Sequence, residues 1–131
     1  MKHYDGYRNA LKQARGLGSA KDGVHHFIVQ RVTAVALIAL GIYFLWLVIS
    51  LAGADYATAR AVVADPCNAV LISAFLIAMF WHSQLGIQVV IEDYVHTPWL
   101  ALTSQLLVKF ICVLAALASV FTVIRIAVAG A

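Results

Sequence analysis

Three long apolar runs dominate the pattern of hydrophobic and polar positions along this chain. They cover about residues 27–51, 67–91 and 99–128, and each is apolar nearly all round rather than along one stripe. A helix needs about 20 residues to cross about 30 Å of hydrocarbon. A helix surrounded by lipid also has no reason to keep a polar face. The pattern therefore predicts an all-α membrane protein with three transmembrane helices in up-down-up order.

Two connecting segments separate the runs and set their order in space. The first, GADYATARAVVADP, ends in Asp65 and Pro66, which we expect to cap and begin the second helix. The second, EDYVHTP, is so short that the second and third helices must be antiparallel neighbours. We find no internal repeat, and we divide the chain into an N-terminal segment, residues 1–26, and a three-helix transmembrane domain, residues 27–131.

Composition and charge support a membrane protein and orient it. Of 131 residues, 63% are hydrophobic and 11% are charged, whereas a soluble domain holds about half apolar and a quarter charged residues. The N-terminal segment carries five basic residues, while the first connecting segment carries only Arg60. Positive charge near a span favours the cytoplasmic side. We therefore predict a multi-pass membrane protein with its N-terminus in the cytoplasm and no nucleic-acid partner.

The sequence argues against both a disulfide and a cleaved signal peptide. Cys67 and Cys112 are far apart and have no metal-binding neighbours, so we expect apolar packing and no disulfide. The charged N-terminal segment is long, and the apolar run after it exceeds the length of about 7–15 residues that is typical of a signal peptide. We expect no cleaved signal.

A histidine in the middle of the second run is the first candidate for chemistry. His82, Gly86 and Asp93 fall on one helix face, because eleven residues at about 100° each return almost to the starting direction. Neutral imidazole is a common haem ligand, and we expect its second nitrogen to donate to the carbonyl of Ala78. Gly86 would leave room for a flat ligand. The alternative is that His82 only hydrogen-bonds a neighbouring helix.

The number of histidines at membrane depth limits what such a site can be. His82 is the only histidine within the three runs, so the chain offers one axial position to a haem. A haem with two histidine ligands would need its second ligand from another subunit. We therefore expect any haem to lie at a subunit interface.

Asp93 and Tyr94, at the end of the same run, are candidates for a quinone site. A phenol can donate a hydrogen bond to a quinone carbonyl, and a neighbouring carboxylate can orient the phenol or relay protons. The alternative is a solvated helix end with Tyr94 as an interfacial anchor, and we adopt that interpretation for Glu92 and His96.

Two basic residues within the runs have less definite roles. Arg31 is placed to extend to the lipid headgroups or to pair with a carboxylate such as a haem propionate. Lys109 lies deeper, and we assign it no role. The remaining polar residues are expected to make helix–helix contacts; they are Ser73, Gln84, Gln88, Ser104 and Gln105.

Two motifs make the chain similar to a known family. One is GVHHFIVQRVTA, residues 23–34, and the other is His82-x3-Gly86-x6-Asp93-Tyr94. Together they resemble the small hydrophobic membrane anchor subunit of succinate dehydrogenase, respiratory complex II. His26 stands where that family frequently has an acidic residue, which changes the local charge.

The resemblance implies specific roles for five residues. It implies that His82 is an axial ligand of haem b, with the second ligand from a cytochrome b556 subunit. It implies that Tyr94 hydrogen-bonds ubiquinone with support from Asp93. It also implies that His25 and Arg31 lie near the haem propionates and the quinone pocket.

The resemblance further implies a division of labour among subunits. A flavoprotein subunit would oxidise succinate in the tricarboxylic acid cycle, and an iron–sulfur subunit would carry electrons to the membrane. This chain would anchor both subunits, alone catalysing nothing. The alternatives are a fumarate reductase anchor subunit, a cofactor-free membrane scaffold protein and a small transporter, although a transporter more often has broken helices.

Overall fold

The computed structural model describes residues 21–130, which form four α-helices and no strand in that range. In chain order these are α1 (Lys21–Ser50), α2 (Tyr56–Ala64), α3 (Pro66–Tyr94) and α4 (Pro98–Gly130). Three of them, α1, α3 and α4, are long and apolar enough to cross a membrane. The predicted all-α fold with three membrane-spanning helices is confirmed.

The N-terminal segment is only partly described. Residues 1–20 lie outside the described range, and from Lys21 onward the chain already belongs to α1. Helix α1 therefore already includes the six residues that precede the apolar run.

Helix α3 begins as the Asp65–Pro66 pair predicts. The Asp65 carboxylate accepts a hydrogen bond of 3.0 Å from the backbone N–H of Asn68. Pro66 occupies the first turn, where its missing N–H removes no intrahelical bond. These two local features mark the start of the helix, as the sequence predicts.

The short helix α2 was not predicted, although its capping residue is visible in the sequence. Asp55 accepts a 3.0 Å hydrogen bond from the backbone N–H of Thr58, which caps the helix. Val62 and Val63 pack against the buried cluster formed by Leu47, Ala69, Ile72 and Val123. Nine residues are too few to show a clear helical period, so α2 depends on this packing.

The three long helices are arranged around α3. Both α1 and α4 pack against it, whereas the Cα atoms of α1 and α4 stay more than 8 Å apart throughout the described chain. The guanidinium of Arg60, on α2, donates a 3.0 Å hydrogen bond to the carbonyl of Ala129 at the end of α4. Large apolar side chains are widely exposed, as in a protein whose surface faces lipid or partner subunits.

Candidate functional site

His82 lies on the side of α3 that packs against α1. Phe75, seven residues earlier on the same helix side, stacks on Phe44 of α1 with ring centroids 4.5 Å apart. His82 reaches Thr33 of α1, with 3.1 Å between Nδ1 and the hydroxyl oxygen. We call the contact between these two helices the α1–α3 seam; it also includes a hydrogen bond from Tyr43 to Asn68.

The hydrogen bonds of Thr33 determine which nitrogen of His82 carries the proton. The Thr33 hydroxyl oxygen is 2.8 Å from the carbonyl oxygen of Val29 and 3.1 Å from that of Gln30, so its single proton is directed to its own helix. The same oxygen is then free to accept from His82, so we assign the imidazole proton to Nδ1. In the neutral imidazole the lone pair remains on Nε2, the nitrogen that a metal would use.

The expected partner of His82, the Ala78 carbonyl, is therefore wrong. The imidazole instead turns toward α1, where a hydroxyl oxygen lies within hydrogen-bond distance. One ring nitrogen of His82 is still held by a hydrogen bond, as expected, but the acceptor belongs to α1 and not to α3 itself.

Gly86, one turn after His82, also faces the seam. A Cβ built on Gly86 would lie 3.9 Å from Nε2 of Gln30, so the Gln30 side chain occupies the space that we expected to hold a flat ligand. The Oε1 atom of Gln30 is buried without a hydrogen-bond partner in the described chain. An unpartnered buried acceptor costs about 1–3 kcal/mol. This part of the seam could therefore accept a further hydrogen bond, at the side-chain oxygen of Gln30.

Asp93 and Tyr94 are placed by the continuity of α3. The helix runs unbroken from Pro66 to Tyr94, so Asp93 lies on the same side as His82 and about 16 Å farther along the axis at 1.5 Å per residue. Asp93 is exposed, and Tyr94 is 79% exposed. The residues described here leave both side chains open to a ligand or another subunit.

The structure does not bring His25 and Arg31 to His82. Both are exposed on α1. Arg31 is two residues before Thr33, which is about 200° around the helix, and its guanidinium carbon lies 5.1 Å from the Phe27 ring centroid. Arg31 thus lies on the side of α1 away from α3. Haem propionates or a quinone would therefore have to reach Arg31 from that outer side of α1.

A second set of polar residues lies on the other side of α3. Glu92 accepts hydrogen bonds from Gln88, at 2.8 Å, and from Gln105 of α4, at 3.5 Å. Gln105 therefore makes a helix–helix contact, as expected, and Glu92 participates in it as well as being exposed. The residue that the sequence left without a role, Lys109, lines a cavity in this region.

Comparison with protein families places these features in a context. Residues 5–122 match the model of the succinate dehydrogenase/fumarate reductase transmembrane subunit. The chain belongs to this family. That result confirms the resemblance found from the motifs. Membership and the three long apolar helices together make it a multi-pass membrane protein.

Individual relatives agree with the family assignment. The succinate dehydrogenase hydrophobic membrane anchor subunit of Rickettsia bellii is 32% identical over 120 residues, covering 92% of this chain and 95% of the relative. The subunit of the same name from Paracoccus denitrificans is 33% identical over 88 residues, covering 67% and 68%. That of Rickettsia typhi is 28% identical over 120 residues.

Proposed function

We propose that this chain is the hydrophobic membrane anchor subunit of a succinate:ubiquinone oxidoreductase. Its relatives carry that subunit name, and the family model covers most of its length. In this role the chain holds a flavoprotein subunit and an iron–sulfur subunit at a bacterial inner membrane, with its N-terminus in the cytoplasm. It binds cofactor and quinone but has no catalytic residue of its own.

The observation that carries the proposal is the fixed imidazole of His82. Thr33 accepts from Nδ1, which leaves the Nε2 lone pair available, so His82 would hold the iron of haem b as an axial ligand. A cytochrome b556 subunit would provide the other ligand. When bound, haem b supplies a one-electron carrier within the membrane. The contribution of the chain is to hold the ring in one tautomer and one orientation before iron arrives.

The exposed end of α3 provides this chain's part of the ubiquinone site. The Tyr94 hydroxyl donates a hydrogen bond to one quinone carbonyl oxygen, and the Asp93 carboxylate orients that phenol or relays a proton to it. Their exposure supports this role, because a quinone diffuses in from the bilayer and the partner subunit must close the pocket. Arg31 provides positive charge, and His25 a ring N–H donor, where haem propionates or quinone oxygens approach α1.

The test is a reduced-minus-oxidised optical spectrum of the complex purified through this chain. His82→Ala removes the only imidazole within the spans, so we expect the b-type signal per complex to fall below about a tenth of the wild-type value, in line with losses on removing metal-site groups. His96→Ala is the matched control, since His96 lies in the exposed connection between α3 and α4. An unchanged b-type spectrum in His82→Ala would remove the ligand assignment.

The family description also includes fumarate reductases, which run the reaction in the opposite direction. The relatives reported above favour the succinate side, because all are named as succinate dehydrogenase subunits. The ratio of succinate oxidation to fumarate reduction by the purified complex separates the two functions.

A further inference from the structure

A polar cavity lies between α3 and α4, near the end of α3 that carries Tyr94. Its volume is about 190 Å³. Four of its lining residues are polar, namely Gln84 and Gln88 of α3 and Gln105 and Lys109 of α4. The proposed haem and quinone functions use none of them. We call this cavity and its continuation below the α3–α4 groove.

The groove continues along the same two helices as a smaller, apolar cavity of about 90 Å³. Gln84 lines both cavities, so they follow one another along the helices. The walls of the second are nearly all apolar and include Phe80, Trp81 and Val113. A polar compartment followed by an apolar one matches the shape of an amphiphile with a polar head and a hydrocarbon chain.

The depth of the polar cavity follows from the charges of α4. Sixteen positions separate Lys109 from Arg125, and no charged residue lies between them. This is a rise of about 24 Å at 1.5 Å per residue. Lys109 lies inside the span that starts at Pro98, and its exposed side chain is long enough to extend along the helix toward that surface. A lipid headgroup that enters between α3 and α4 from the Tyr94 end can therefore meet the Lys109 ammonium.

Glu92 lies beside the polar cavity, because it accepts hydrogen bonds from two of the residues that line it, Gln88 and Gln105. Gln105 bonds to the Glu92 carboxylate and lies one turn before Lys109, which is about 6 Å at 1.5 Å per residue. The positive charge is thus nearer the bilayer centre and the negative charge nearer the surface. Both glutamine amides donate to Oε1 of Glu92, so Oε2 can accept from a ligand.

We propose that the α3–α4 groove binds an aminophospholipid, with its phosphate on Lys109 and its primary ammonium on Glu92. In phosphatidylethanolamine the phosphate is next to the glycerol and the ammonium is outermost, which is the complement of the order of charges in the groove. Part of an acyl chain occupies the apolar cavity, and the rest follows the exposed apolar surface of the two helices. A purely anionic headgroup would meet the Glu92 carboxylate, and a choline headgroup has no N–H to donate to it.

The experiment is native mass spectrometry of the detergent-purified complex containing the full chain. It is supplied separately with phosphatidylethanolamine, phosphatidylcholine and phosphatidylglycerol that carry identical acyl chains. We expect the wild-type complex to retain phosphatidylethanolamine about tenfold better than either other lipid, the factor that one charge-assisted hydrogen bond provides. Equal retention of the three lipids, or preference for phosphatidylglycerol, would overturn the proposal.

Three variants locate the effect. Lys109→Met should reduce phosphatidylethanolamine retention about tenfold, whereas Arg125→Met, at the far end of the same helix, should not. Glu92→Gln should abolish the preference for phosphatidylethanolamine over phosphatidylcholine. Because that readout is a ratio between two lipids on one protein preparation, it remains valid if Lys109→Met assembles poorly. The proposal fails if Lys109→Met and Arg125→Met behave alike, or if Glu92→Gln keeps the full preference.

Discussion

The two sides of α3 differ in how tightly they hold their polar side chains. At the α1–α3 seam, aromatic stacking and side-chain hydrogen bonds hold His82 against Thr33. In the α3–α4 groove the polar side chains instead line cavities. The comparison shows that one helix can immobilise a ligand-forming residue on one side and leave room for a mobile molecule on the other. Rigid packing suits a metal ligand, whose direction must be preset, and open space suits a lipid.

The largest expected effect is a loss of quinone reduction when Tyr94, at the exposed end of α3, is changed. Tyr94→Phe removes the hydroxyl but keeps the ring. We expect quinone reduction by the complex to fall about a hundredfold, which is the scale of losing one positioned proton donor. Haem content should stay normal, because Tyr94 does not contact the seam. Steady-state succinate:quinone assays with a parallel optical spectrum measure both quantities.

Glu92→Gln is the matched control for Tyr94→Phe. It changes the groove side of the same helix end, two residues away, and should leave quinone reduction within about twofold of wild type. Loss of quinone reduction in both variants would mean that the two sides of α3 do not act separately.

A smaller effect tests the rigidity of the seam itself. Asn68 accepts a hydrogen bond from Tyr43 and donates 2.8 Å to the carbonyl of Val62, so it joins α1, α2 and α3. Asn68→Leu leaves the half-buried Tyr43 hydroxyl without its acceptor, and we expect a loss of about 1–3 kcal/mol of stability. Thermal denaturation of the detergent-solubilised complex provides the measurement.

Gln105→Leu in the groove is the comparison for Asn68→Leu. It removes a long hydrogen bond to an exposed carboxylate, so the expected change is below about 0.5 kcal/mol. An equal loss in the two variants would contradict the contrast between a tight seam and an open groove.

The smallest effect lies outside both regions, at the cap of α2. Hydrogen bonds from the Thr58 side chain and backbone N–H lower the pKa of Asp55. Because the folded-state pKa is lowered, the cap contributes fully above the ordinary Asp pKa of about 3.9 and is lost as pH falls through the lower folded value. We expect the protection factors of the α2 amides, which are corrected for the intrinsic exchange rate at each pH, to fall below about pH 4. Asp55→Asn should remove that pH dependence in hydrogen-exchange mass spectrometry.

The predictability of the fold and of the site follows from the range of the interactions involved. The three spans and the start of α3 depend on local patterns and on Asp65 and Pro66, so they could be predicted from the sequence. Helix α2 depends on packing of Val62 and Val63 against distant residues, so it could not. His82 was found because a histidine in an apolar run is rare.

The partner of His82 and the role of Lys109 were beyond sequence reasoning for the same reason. The Thr33 contact depends on the register between α1 and α3, which no single helix pattern specifies. The cavity lined by Lys109 depends on how α4 packs against α3. A polar stripe of Gln84, Gln88 and Glu92 at four-residue spacing was the available signal, and it indicates a shared face without indicating a cavity.

The most direct test of the central claim is the haem content of two substitutions at Thr33. Thr33→Ser keeps the hydroxyl that accepts from His82, whereas Thr33→Val keeps the shape and removes the acceptor. If Thr33 fixes the imidazole for iron, the b-type signal per complex stays near wild type in Thr33→Ser and haem affinity falls about 10–100-fold in Thr33→Val. Wild-type haem affinity in Thr33→Val would contradict the account.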